Sequence, residues 1–148
     1  MDIDGACLCG AIQYRGQIDP NMIAVCHCTD CQANSGSAFG TVAHLTSFEL
    51  TRGTLKTYLK TGSSGKQRAL VFCGDCGTRI YARNADESPG VWGLRIGSCN
   101  QRAEMTPKLA VVSPNALRIT VNRMPKTPPS TPSISEANAN SHKLRQRP

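Results

Sequence analysis

The chain has 148 residues, enough for one domain with a modest core, and only 5% of them are aromatic, so aromatic packing alone cannot supply most of its stability. Its formal charge of +7 is unevenly spread: residues 1–122 hold 12 Lys and Arg against 9 Asp and Glu, while residues 123–148 hold 5 against 1. With more than half the excess on a short tail, and neither a basic stripe nor interleaved aromatics elsewhere, no specific nucleic-acid partner is expected.

The opening Met1-Asp2-Ile3-Asp4 is acidic and lacks the apolar run of a signal peptide. Apolar stretches such as Met22 to Cys26 are far too short to cross a bilayer, so no membrane role is expected. No Asn-x-Ser/Thr sequon occurs. A reducing, cytoplasmic setting is the consistent expectation, and it favours metal binding over disulfides.

In chain order the body reads as short strands separated by turns. Ile12 and Tyr14 alternate with polar residues, Asp19-Pro20-Asn21 predicts a turn, and Met22 to Val25 a short strand leading into cysteines. A longer strand is predicted from Ala38 to Leu45. Leu55, Thr57 and Leu59 then fall on one face and Lys56, Tyr58 and Lys60 on the other, the pattern of a half-buried strand. Arg68, Leu70 and Phe72 alternate with Ala69 and Val71 into Cys73, and two further strands are predicted at Thr78 to Ala82 and Val91 to Ile96. No helical stripe exceeds about two turns, so the fold class is mainly β.

Gly62-Ser63-Ser64-Gly65-Lys66 looks like a fragment of a phosphate loop, but its glycines are too close together and Gln67 follows the lysine. Between two alternating strands it reads as a hairpin loop. From about Met124 the sequence turns Pro-rich, then Ser-, Asn- and Ala-rich, which predicts a globular domain over residues 1–122 and a disordered basic tail over 123–148.

Seven of the eight cysteines form three clusters: Cys7 with Cys9; Cys26, Cys28 and Cys31; Cys73 with Cys76. Thiolates one or two residues apart can face a single tetrahedral ion, whereas a disulfide from Cys7 to Cys9 or Cys26 to Cys28 would close a very small, strained ring. Seven ligands divide most simply into a closed four-thiolate site and a three-thiolate site with one open corner.

Cys73-Gly74-Asp75-Cys76-Gly77 is a zinc knuckle, its glycines permitting the tight turn, and Cys7-Leu8-Cys9-Gly10 supplies the other half. A structural zinc there would contribute on the order of 10 kcal/mol to folding. Cys26-His27-Cys28-Thr29-Asp30-Cys31 packs three sulfurs into six residues, a claw that leaves one face of an ion exposed. Three thiolates make zinc a weak acid toward water and a good holder of a soft thiolate, which points to sulfur chemistry ahead of hydrolysis.

His27 as a fourth ligand would close that site; between two ligands its side chain is expected to point away. Asp30 reads either as an acceptor near the ligands or as a turn residue, His44 as a structural strand residue, and Cys99 as a buried small apolar residue.

Together these clusters resemble the family of glutathione-dependent formaldehyde-activating enzymes and the related domain of centromere protein V. The resemblance is carried by Gly5-Ala6-Cys7-Leu8-Cys9-Gly10, by Cys26-His27-Cys28-Thr29-Asp30-Cys31-Gln32 with Ser35-Gly36-Ser37-Ala38-Phe39-Gly40, by Gly53-Thr54-Leu55 with Tyr58, and by Phe72-Cys73-Gly74-Asp75-Cys76-Gly77-Thr78.

It implies small coiled β-sheets of the β-tent type pinned by two zinc ions per chain. One would be structural, on Cys7, Cys9, Cys73 and Cys76; the other catalytic, on Cys26, Cys28 and Cys31. It also implies a carbon–sulfur lyase acting on a thiol–aldehyde adduct such as S-hydroxymethylglutathione, with glutathione as partner and Arg79, Arg83 or Arg95 available for its carboxylates. The alternatives are a zinc-stabilised binding module without turnover and a degenerate family member. The chain departs from the family downstream: Gly97-Ser98-Cys99-Asn100-Gln101 replaces a Gly-Thr-Leu-Asp-Asp pattern, and residues 108–121 carry no aromatic.

Overall fold

The computed structural model describes residues 1–62, 65–86 and 90–112. The tail expected from residue 123, and Ser63 and Ser64 of the 62–66 loop, lie outside the described residues.

Among the described residues the elements are β1 (Asp2–Ala6), β2 (Gln13–Cys26), α1 (Thr29–Ser35), β3 (Gly40–Arg52), β4 (Leu55–Thr61), β5 (Gln67–Cys73), β6 (Arg79–Asn84), β7 (Gly93–Arg95) and β8 (Leu109–Val111), with 3₁₀ turns at Ile96–Ser98 and Asn100–Glu104. The fold is mainly β, as the period-2 patterning predicts. The strands lie in the order β1-β2-β3-β7-β6-β5-β4, all antiparallel, and β8 runs parallel to β2. Two antiparallel units, β1-β2-β3 and β4-β5-β6, are thus joined through the short β7.

β2 is the spine. It pairs with β3 from Gln13↔Arg52 to Cys26↔Gly40, while β1 covers the first part of its other edge and β8 the last, at Ala24 to Cys26. The turn predicted at Asp19-Pro20-Asn21 is instead a bulge within this strand. Asp19 pairs with His44 and Ile23 with Ala43, so Pro20, Asn21 and Met22 oppose nothing. Proline has no N–H to give the ladder, and the Asn21 amide donates to the Asp19 carboxylate at 2.8 Å. Local turn chemistry is satisfied without reversing the chain.

β3 runs seven residues past its predicted end at Leu45, and the strand predicted over Val91 to Ile96 shrinks to Gly93–Arg95 before the 3₁₀ turn. β5 follows its predicted alternation, with Ala69, Val71 and Cys73 buried. β4 does not: Tyr58 and Leu59 are 58% and 53% exposed, and no β4 residue is buried. It ends the strand order, and of its apolar residues only Leu55, at its start, packs against the core.

The core gathers Ile3, Ile12, Tyr14, Ile18, Ile23, Leu45, Ile80 and Leu94. The few aromatics are concentrated rather than dispersed. Tyr14 stacks on Phe48 at 5.4 Å, Phe48 meets Tyr81 edge-on at 4.8 Å, Tyr81 stacks on Trp92 at 5.4 Å, and Arg83 lies over the Trp92 ring. This row crosses from β2 and β3 to β6.

At one end of that row sits a buried polar chain. Ser98 donates to the Arg95 carbonyl at 3.0 Å, so it accepts from the Tyr14 hydroxyl at 2.7 Å, and Cys99, fully buried, lies 3.3 Å from the same phenol oxygen. Burial, reinforced by Cys99, holds the Tyr14 phenol well above its ordinary range, so it stays a donor. Gly5 makes room for the arrangement: a Cβ there would collide with the Tyr14 ring and the Ser98 carbonyl. Tyr14→Phe should therefore cost about 1–2 kcal/mol, through partners left unbonded in the core. Urea unfolding of the zinc-loaded variant, with an unchanged m-value, would check it.

Candidate metal centres

Two loops of similar construction bring four sulfurs together. In the first, the Gly10 amide donates to the Cys7 carbonyl at 3.0 Å and the chain turns at Gly10 with φ 74°. In the second, the Gly77 amide donates to the Cys73 carbonyl at 3.0 Å and the chain turns at Gly77 with φ 73°. Both glycines occupy the left-handed region, which disfavours other residues. Gly74 serves differently: a Cβ there would lie 2.8 Å from the Lys56 side chain, so its smallness admits the lysine stem.

The Sγ atoms of Cys7, Cys9, Cys73 and Cys76 all lie within 4.8 Å of one another. Cys7 and Cys9 are 3.4 Å apart and Cys9 and Cys73 3.8 Å. A tetrahedron of sulfurs about 2.3 Å from zinc has edges of roughly 3.8 Å, so the donor set fits that ion in both chemistry and spacing.

The surrounding hydrogen bonds favour thiolates. The Ile12 amide donates to the Cys7 sulfur at 3.2 Å. Thr78 ties the two loops together: its hydroxyl accepts from the Leu8 amide at 3.0 Å and lies 3.1 Å from the Cys76 sulfur. The Thr78 hydroxyl, followed by its amide, draws Cys76 down to about 5.

The second group sits where β2 passes into α1. Cys26 ends the strand, Cys28 caps the helix and Cys31 lies in its first turn, with all three sulfurs within 4.8 Å of one another. Cys26 and Cys31 are 9% and 8% exposed, at the margin of burial, and Cys28 is half-buried. Burial pushes Cys26 up to about 12, while Cys28 is lowered: the Cys31 amide, donating at 3.4 Å, and the adjacent sulfurs outweigh its own burial. Three soft donors around one point fit zinc and leave one coordination position for a further ligand.

His27 lies outside this group of sulfurs, its ring 5.7 Å from that of Phe39. Asp30 pairs with Lys60 of β4 at 2.8 Å, a partly exposed bridge that links α1 to the edge strand. His44 sits on β3 opposite Gly93 and Asp19.

Sequence reasoning gave Arg95 only a carboxylate-binding role. Its Nη1 donates to the Cys31 sulfur at 3.4 Å, and a Cβ on Gly40 would lie 2.6 Å from that nitrogen. Glycine at 40 is what admits the guanidinium. Beside it opens a cleft of about 410 Å³ lined by Arg79, Arg95 and Arg102. Arg83 does not line it, being placed over Trp92.

The family model described as glutathione-dependent formaldehyde-activating enzyme matches residues 2–113. No curated protein matches. A crystal structure of a Rhodobacter sphaeroides protein superposes with a TM-score of 0.53 at 21% identity, over 75% of this chain and all of that one, a likeness of fold.

Replacing Thr78 by valine keeps the side-chain shape and removes the hydroxyl between the two loops. Zinc affinity of the four-thiolate site should fall about tenfold to a hundredfold, as read by competition with a chromophoric chelator.

Proposed function

The chain belongs to the glutathione-dependent formaldehyde-activating enzyme family, and from that membership we propose a zinc-dependent carbon–sulfur lyase acting on a thiol–aldehyde adduct such as S-hydroxymethylglutathione. The observation that carries this reading is the three-sulfur group of Cys26, Cys28 and Cys31 beside an arginine-lined cleft. Zinc held there would supply a Lewis-acidic position that takes a thiolate and orients it.

The chain's own residues prepare the rest. Three thiolates around a divalent ion leave a net charge near −1, which opposes a fourth anionic sulfur. Arg95, donating to the Cys31 sulfur, would offset part of that charge. Cys28, as helix cap, has its sulfur held by the Cys31 amide, which fixes the claw's geometry before substrate arrives. The cleft beside Gly40 and Arg95 gives the body of the thiol a place to lie.

In the cleavage direction the carbon–sulfur bond breaks and its electron pair stays on the thiol sulfur. The adduct hydroxyl loses its proton to water as the aldehyde carbonyl forms. The reverse direction joins the same thiol and aldehyde.

Cys7, Cys9, Cys73 and Cys76 have the structural role in this reading: their sulfurs are all committed to one another's ion, leaving no position for substrate. A cytoplasmic location and a domain boundary near residue 122 belong to the same reading. Among the described residues no helix is long and apolar enough to cross a membrane.

Elemental analysis should find about two zinc ions per chain. Cys28→Ala should stay folded with about one zinc and lose at least about a hundredfold of the exchange between glutathione, formaldehyde and their adduct, as followed by NMR. Cys76→Ala should unfold or aggregate. Two zinc ions in the wild type with no acceleration over the spontaneous reaction would leave a non-catalytic family member.

A further inference from the structure

The cleft beside the three-thiolate group has an unusual charge balance. Arg79 and Arg95 are half-buried in its wall and Arg102 stands exposed at its edge. Each is held rather than loose: Arg79 lies 4.8 Å over the Phe72 ring, Arg95 donates to Cys31, and Arg102 donates to the Cys99 carbonyl at 2.9 Å. A guanidinium has five N–H donors, so the single bond from Arg102 to Cys99 leaves several to offer a ligand. Among the described residues no aspartate or glutamate lines the cleft; its remaining polar side chains are Asn34, Ser35 and Thr41.

This arrangement is suited to one kind of ligand. Three permanent positive charges attract anionic groups, and carboxylates and phosphates match the guanidinium fork. An ammonium brought near Arg79 and Arg102 meets repulsion from both and finds no carboxylate to offset it. Glutathione carries two carboxylates and also an ammonium, so only part of it suits the lining.

We propose that the cleft selects a thiol whose remote groups are all anionic, carboxylates or a phosphate with no ammonium, Arg95 serving its sulfur end and Arg79 and Arg102 its remote end. This rests on the reading that a thiol meets Cys26, Cys28 and Cys31, and it deepens that reading by naming the substrate class. The division of labour follows from position: Arg95 touches a ligand sulfur, whereas Arg79 and Arg102 hold no ligand sulfur.

The test is titration calorimetry on the zinc-loaded full chain, comparing glutathione with its deaminated analogue, glutaryl-cysteinyl-glycine, which differs only in the ammonium. 4′-Phosphopantetheine provides the phosphate arm. At low ionic strength the deaminated analogue should bind about five- to tenfold more tightly than glutathione, with the preference shrinking as salt is added. The tighter of the two all-anionic thiols identifies carboxylate or phosphate as the group recognised. R79Q and R102Q should each move the preference toward unity with zinc content still two per chain. R95Q should weaken glutathione and its analogue alike.

Equal or tighter binding of glutathione in the wild type would overturn the proposal. Repeating the comparison with S-methylated ligands separates the two readings. A preference that survives methylation without any turnover of adducts would refute the lyase and keep the anionic cleft. Turnover of the glutathione adduct with no anionic preference would refute the cleft's selectivity alone.

Discussion

Four sulfurs, two from the N-terminal end and two from the middle of the chain, meet at one point, and the rest of the fold is arranged around that meeting. Cys7 and Cys9 leave β1, Cys73 closes β5 and Cys76 precedes β6, so the group joins the unit built on β2 to the unit built on β5. The units also meet through the three residues of β7, the row of rings from Tyr14 to Trp92, the core residue Ile80 and the Asp30–Lys60 bridge. Without an ion these sulfurs resist sharing their space as thiolates. The Ala11 amide pulls Cys9 down, yet the neighbouring sulfurs push it up to about 12, while Cys76 drops to about 5. A divalent cation held by the four sulfurs would resolve that conflict and let the two loops lie so close. An ion there would also close a loop of more than sixty residues and so restrict the unfolded chain.

The two sulfur groups share chemistry and differ in how they are framed. The four-thiolate group lies between two rigid turns, each with a glycine at positive φ, and Thr78 stitches one turn to the other. The three-thiolate group comes from a single strand-to-helix junction six residues long, and its outside contact is a guanidinium instead of a fourth sulfur. One framing offers an ion four sulfurs; the other offers three, with a guanidinium on one of them. The same polar chain that fills the core, from Cys99 through Tyr14 and Ser98, ends on the Arg95 carbonyl, so the backbone of that arginine is anchored from within.

Much of this was legible in the sequence because cysteine spacing and strand alternation are local signals. The three clusters, the hairpin between residues 55 and 73, the alternation of residues 68–72 and the burial of Cys99 could all be read within a few positions. What could not be read depended on partners far along the chain. Asp19-Pro20-Asn21 has turn chemistry, but β3 continues alongside it and makes it a bulge. Leu55, Thr57 and Leu59 alternate as a half-buried strand does, yet only Leu55 packs against the core, while Thr57 and Leu59 stay exposed. Arg95 resembles any strand arginine until Gly40 and Cys31 are seen beside it. The segment 97–101 departs from the family's acidic pattern, and its local sequence gives no hint that Asn100 and Gln101 both donate to Asp4, a clamp that a pair of carboxylates could not form.

β8 departs from the antiparallel pattern in a way that bears on how the chain can change. Leu109, Ala110 and Val111 lie alongside Ala24, Val25 and Cys26, and the His27 amide donates to the Val111 carbonyl at 2.7 Å. All three side chains are exposed, so the attachment is made by main-chain groups and not by packing. Peptide ladders are indifferent to most residue identities. This stretch can therefore exchange one side chain for another while still bracing the strand that delivers Cys26.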